Sequence, residues 1–74
     1  MEDRKIKEIL IEKNGVFKRL FLEHQELEEK LQLHMQNKFK NEEERIEEKN
    51  IKKKKLMLKD AMQKHICEFK KKLN

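Results

Sequence analysis

At 74 residues the chain makes at most one domain, and a chain this short buries only about 60% of the surface its unfolded form exposes. Charged residues make up 47% of it and leave a net charge of +5, against a usual charged share of about 25%. Serine and threonine are absent and Cys67 is the single cysteine, so a hydroxyl nucleophile and an internal disulfide are excluded, and no Gly-rich phosphate loop exists.

Proline is absent and glycine occurs once, so little interrupts a helix. The abundant Lys, Glu, Leu, Met and Gln are strong helix formers. Apolar residues at helical spacing separate this chain from a disordered one of similar charge. One helical domain over 1–74 is expected, with a short N-terminal helix over 1–14 and longer helices over 16–38 and 42–73.

The first helix carries Ile6, Ile9, Leu10 and Lys13 on one face. Asn14-Gly15 follows, the pair most able to take positive φ, so a bend or turn is expected there. In the second helix Phe17, Leu20, His24, Leu27, Leu31 and His34 step by three and four residues, with Phe21 and Met35 widening the stripe. Residues 37–41 are the expected corner. Asn41 reads as an N-cap, and Glu44 as the return arm of a capping box. One continuous rod through this region is the alternative.

In the third helix Ile51, Lys55, Leu58, Met62, His65 and Phe69 form the stripe, with Leu56, Ile66 and Leu73 beside it. Two helices joined by a short link pack antiparallel. The expected fold is therefore all-α, a long, coiled-coil-like antiparallel hairpin with a short N-terminal helical segment. Its expected core is Phe17, Leu20, Phe21, Leu27, Leu31, Ile51, Leu58, Met62 and Phe69. Two helices leave part of each stripe uncovered, so dimerisation into a four-helix bundle is expected. Docking of the first helix over the open groove is the monomeric alternative.

Two stretches resemble a known family. Phe17 through Leu27 (FKRLFLEHQEL) is similar to the Phe-x-x-Leu-Phe-x-x-His-x-x-Leu signature of the YdcH-like family. Lys52 through Met62 (KKKKLMLKDAM) resembles that family's LKxxKLxLKDEI signature, with Ile51 at the leading leucine and Ala61 in place of the usual glutamate. The resemblance implies a helical hairpin in a bacterial, cytosolic setting. It carries no activity over.

Metal ligands on helices need i,i+3 or i,i+4 spacing, or a facing partner. With the corner near residue 40, His24 is expected opposite residues 56–58, His34 opposite Glu47 or Glu48, and His65 opposite residues 15–17. No two histidines meet, and no metal or cofactor is expected. His24 and Asp60 both fall on signature positions, so an interhelical polar contact between them is a candidate, although heptad counting places Asp60 outward. Cys67 points outward and reads as an inert thiol.

Basic charge is concentrated in the second half, where residues 39–74 hold twelve basic and seven acidic residues. The run Lys52, Lys53, Lys54 and Lys55 is the candidate interaction patch, although four successive lysines ring a helix rather than line one side. Nucleic-acid backbone binding through this segment is the alternative function. Tyr and Trp are absent, however, so base stacking lacks its platform. The longest apolar run, Ile9-Leu10-Ile11, falls far short of a bilayer span, and the charged start leads into no signal-peptide core. The expected protein is a cytoplasmic, non-enzymatic, self-associating protein–protein interaction module.

Overall fold

The structure, a computed structural model, describes residues 2–37 and 39–73. These form three helices, α1 (Asp3–Lys13), α2 (Gly15–Gln36) and α3 (Glu42–Leu73). Lys38, at the end of the expected second helix and inside the expected corner, lies outside the described residues, as do Met1 and Asn74.

Asn14 separates α1 from α2. Its backbone is extended (φ −120°, ψ 106°), and its side-chain oxygen accepts from the amides of Val16 at 3.0 Å and Phe17 at 3.2 Å. Its own amide donates to the carbonyl of Leu10 at 2.8 Å. One residue thus closes α1 and caps α2, satisfying amides that a helix start leaves unpaired. No described residue has positive φ. The break therefore comes from an extended Asn14, and Gly15 is the first residue of α2 rather than a left-handed turn residue. Nothing lies within 4 Å of a Cβ placed on Gly15. Gly15→Ala is expected to stabilise the protein by about 0.4–1 kcal/mol, chiefly by restricting the unfolded chain. A lower urea midpoint for the variant would contradict the helical geometry assigned to this residue.

The corner is built around Asn37 and Asn41. The Asn37 side chain accepts from the amide of Phe39 at 3.2 Å and donates to Glu44 Oε2 at 2.9 Å. Asn41 caps α3, its Oδ1 accepting from the amide of Glu44 at 2.8 Å. The capping box is not completed, because the Glu44 carboxylate takes the Asn37 amide instead of returning to Asn41. Lys40 pairs with Glu48 across the start of α3. Together these bonds fold the chain back, and the result is a hairpin rather than a rod.

The register of the hairpin follows from the facing pairs. Phe17 meets His65, Glu28 meets Lys55, and His34 Nε2 lies 3.7 Å from Glu47. Numbers rise on one helix as they fall on the other, so α2 and α3 run antiparallel. The 32 residues of α3 span about 48 Å, in line with the molecule's 50 Å long axis. The 22 residues of α2 reach only about 33 Å. α3 therefore outruns α2 at both ends, and α1 packs against both helices over the C-terminal half of α3.

Two stretches of core result. At the base, Ile6 and Leu10 of α1 join Phe17, Met62 and Ile66, with Ile11, Leu20, Phe21 and Phe69 packed around them. Ile6, Phe17 and Ile66 are fully buried. Asp3 forms an ion pair with Lys70, tying the start of α1 to the overhang of α3. Toward the corner, Leu31, Ile51 and Leu58 are buried between α2 and α3. Of the expected core, Leu20, Phe21, Leu27 and Phe69 are only half-buried. Ile6, Leu10 and Ile66 replace them as the best-shielded residues, because α1 covers the base of the seam.

Candidate functional site

Where α1 stops covering the hairpin, a groove of about 520 Å³ opens between α2 and α3. Its floor is Phe21 from α2 with Leu56 and Met62 from α3. Four lysines flank it, Lys7 from α1 and Lys52, Lys55 and Lys59 from α3, against one carboxylate, Glu28. His24 also lines the groove. Lys52, Lys55 and Lys59 recur at three- and four-residue steps, which places them along one flank of α3 with Leu56 between them.

The lysine run is consequently divided. Lys52 and Lys55 face the groove, whereas Lys53 and Lys54 are exposed and do not line it. Lys52 pairs with Glu48 at 3.3 Å and Lys55 with Glu28. Lys7 and Lys59 form no ion pair among the described residues, and with four lysines against one carboxylate the groove is net positive.

His24 is half-buried, and the expected contact with Asp60 is not made. No hydrogen bond or ion pair joins the two, and Asp60 is exposed. The physical reason is rotational: Asp60 lies two residues from both Leu58 and Met62, which turn inward, so it turns away from α2. The charged groups around His24 are instead Lys55 and Lys59 from α3, Glu28 from α2 and Lys7 from α1. Burial holds the His24 pKa below its usual value, and Lys55, Lys59 and Lys7 lower it further against an opposing pull from Glu28. Glu28 is lowered mainly by its hydrogen bond from Lys55, and Glu48 mainly by its bond from Lys40.

These shifts all weaken the fold in acid. For His24, the unfolded chain binds a proton more readily than the folded one. Its contribution is complete above the ordinary pKa near 6.5 and falls as pH drops from there toward the lowered folded value. The Glu28 and Glu48 contributions are complete above about 4.5 and are lost as pH falls through their lowered values. Urea midpoints are expected to decline below pH 6.5 and again, more steeply, below 4.5. His24→Leu should flatten the first stage alone; an unchanged slope between pH 5 and 7 would refute the role given to His24.

The other histidines stay apart. His65 makes an edge-on aromatic contact with Phe17, with ring centroids 6.1 Å apart, and His34 reaches Glu47. Cys67 is exposed, with Gln63 Nε2 at 3.9 Å from its sulfur. No helix among the described residues is long and apolar enough to cross a membrane.

Reading the sequence singled out His24, Phe21, Lys52, Lys55 and Met62 separately but missed the groove that joins them to Lys7, Glu28, Leu56 and Lys59. The spacing of Lys52, Lys55 and Lys59 was a usable signal, hidden by treating the four successive lysines as one unit. No signal in the sequence placed Lys7 beside them, since that depends on how α1 docks. No family model matches the chain, and no curated protein or solved structure matches it.

Proposed function

We propose that this protein is a non-enzymatic helical interaction module that self-associates, through the corner half of its hairpin, into a four-helix bundle. The observation that carries this reading is the apolar surface left where α1 does not reach. Leu33, Met35, Phe39 and Ile46 are 67%, 66%, 90% and 60% exposed and lie within or beside the corner, while Val16, Leu22, Leu56, Met57 and Leu73 are exposed singly or in pairs along the rest of the hairpin. Apolar groups gathered at one end of a small protein mark an interaction surface more often than scattered ones do. A second hairpin laid against the first would cover them together with half-buried Leu27, as in other helical bundles. The similarity of Phe17–Leu27 and Lys52–Met62 to the YdcH-like signatures supports a bacterial, cytoplasmic hairpin of that kind.

Sedimentation equilibrium tests the proposal. The native chain is expected to have the mass of two chains, and the Met35→Asp, Phe39→Asp double variant the mass of one with its helicity intact. Both positions are exposed in the single chain, so loss of assembly is separable from loss of folding. A single-chain mass for the native protein at high concentration would end this reading. Nucleic-acid backbone binding through Lys52–Lys55 is the weaker proposal, because carboxylates already pair two of the four ammonium groups.

A further inference from the structure

We propose that the groove between α2 and α3 binds a single-chain amphiphilic anion, a medium-chain fatty carboxylate, with its head between Lys7 and Lys59 and its tail along Phe21, Leu56 and Met62. This goes beyond self-association and rests on different residues. Three features of the groove carry it: concavity, an apolar floor, and net positive charge at the rim. A volume of about 520 Å³ lies within the usual range for small-molecule sites, roughly 300–1,000 Å³.

Charge selects the head. The Glu28 carboxylate is already engaged by Lys55, and Lys52 is engaged by Glu48, so neither pair needs a ligand. Lys7 and Lys59 are exposed, come from different helices, and line the same groove without ion-pair partners among the described residues. Both line the groove together with His24, so two ammonium groups from different helices border one apolar floor. An anion between them relieves their mutual repulsion and gains two charge-assisted hydrogen bonds.

The floor selects the tail. Leu56 is 60% exposed and lines the groove between lysines, where an acyl chain would cover it. From Leu56 to Met62 the floor runs about 9 Å along α3, fewer than two helical turns, so it offers a partner helix a short seat, whereas an extended hydrocarbon chain of that length fills it. A nucleic-acid strand needs an exposed aromatic face for stacking, whereas Phe21 is half-buried against the base core.

The test titrates the full chain with octanoate, decanoate and dodecanoate, each below its aggregation threshold, by calorimetry. One ligand per chain is expected, with affinity rising by up to about fifteenfold for each two methylenes that the groove buries. Acetate and inorganic phosphate, which offer a head without a tail, should not bind measurably, nor should dodecyltrimethylammonium, which carries the tail under the wrong charge. Lys7→Gln with Lys59→Gln should weaken dodecanoate about tenfold, two exposed substitutions that leave the helices intact by circular dichroism. Leu56→Asn should weaken it about fivefold and remove the chain-length dependence. In proton NMR, the His24 ring should titrate at higher pH once the carboxylate is bound. Absence of dodecanoate binding overturns the proposal, as does equal binding of the cationic amphiphile. Tighter binding of a short single-stranded oligonucleotide, lost in the same lysine variant, overturns it in favour of nucleic acid.

Discussion

Phe17→Ala is expected to destabilise this protein by about 3–5 kcal/mol, the usual cost of truncating a fully buried phenylalanine. Phe17 has no exposed surface and is the largest fully buried side chain, central to the cluster of Ile6, Leu10, Met62 and Ile66. All three helices meet on it, so the cavity left by its removal cannot collapse from one side alone. Its edge-on contact with His65 is lost as well, worth about 0.5–1.5 kcal/mol for an aromatic pair of this geometry. A domain of this size has a total stability of about 4–11 kcal/mol, so the variant should be largely unfolded at physiological temperature. Phe17→Leu, which retains most of the volume, should cost far less. Thermal denaturation followed by circular dichroism distinguishes the two, and a shift of only a few degrees for Phe17→Ala would mean that the base cluster is not the main core.

The second large effect concerns α1. Ile6→Ala is expected to cost about 2–5 kcal/mol, because Ile6 is fully buried against α2 and α3 despite lying four residues inside the described chain. Ile9, on the face that the sequence pattern assigns to the same stripe, is only half-buried and outside the cluster, so Ile9→Ala should cost less than half as much. The comparison tests docking directly. In an undocked α1 both residues would face water, and neither substitution would matter beyond a few tenths of a kcal/mol. Hydrogen exchange supplies the structural readout. Amides of residues 4–13 should lose protection in Ile6→Ala before those of the α2–α3 seam near Leu31 and Ile51.

The two variants probe different dependencies of one core. Removing Phe17 opens the centre, whereas removing Ile6 releases the lid that makes Ile66 and Phe17 inaccessible. If α1 detached cleanly, Leu31, Ile51 and Leu58, which lie outside the cluster that α1 covers, would keep their burial. Three residues are a small core, so release of α1 should lower the cooperativity of unfolding as well as its midpoint.

Residue identity and spacing were enough to read the helices. With no proline, one glycine and an apolar step of three and four residues, no other secondary structure buries the stripes, and the limits of α1 and α3 fall within two residues of expectation. Capping by Asn41 was equally legible, since a side-chain oxygen before an acidic first turn has a local use wherever the helix lies. The register was close to legible too. A corner near residue 40 puts His65 opposite residues 15–17 and His34 opposite Glu47 or Glu48, and the pairs that form, Phe17 with His65 and Glu47 with His34, fall within those ranges. Local chemistry and a two-helix geometry were all these required.

Other features required the third body. Gly15 looked like a turn residue because a Gly after an Asn usually is, but the extended Asn14 made the break, and its side-chain bonds relieved Gly15 of that role. Glu44 had the spacing of a capping box, yet Asn37 competed for its carboxylate from across the corner. Asp60 shared signature positions with His24 but lay on the wrong side of α3. In each case a distant group or a helix rotation decided between options that were locally equal.

The same division explains what governs this protein as a whole. By itself the sequence determined three helices and the excess of positive charge on α3, because periodicity and capping act over a few residues; it left a hairpin and a rod both open, and the bonds of Asn37 and Asn41 at the corner decided for the hairpin. Only the tertiary structure decided that α1 would dock across α2 and the C-terminal half of α3, making Ile6, Phe17 and Ile66 the deepest residues. The same docking brought Lys7 to Lys59 beside an apolar floor. Packing choices of this kind depend on which exposed stripe a short helix covers, and apolar stripes are non-directional, so several arrangements satisfy the same pattern until the lengths of all three helices are set against one another.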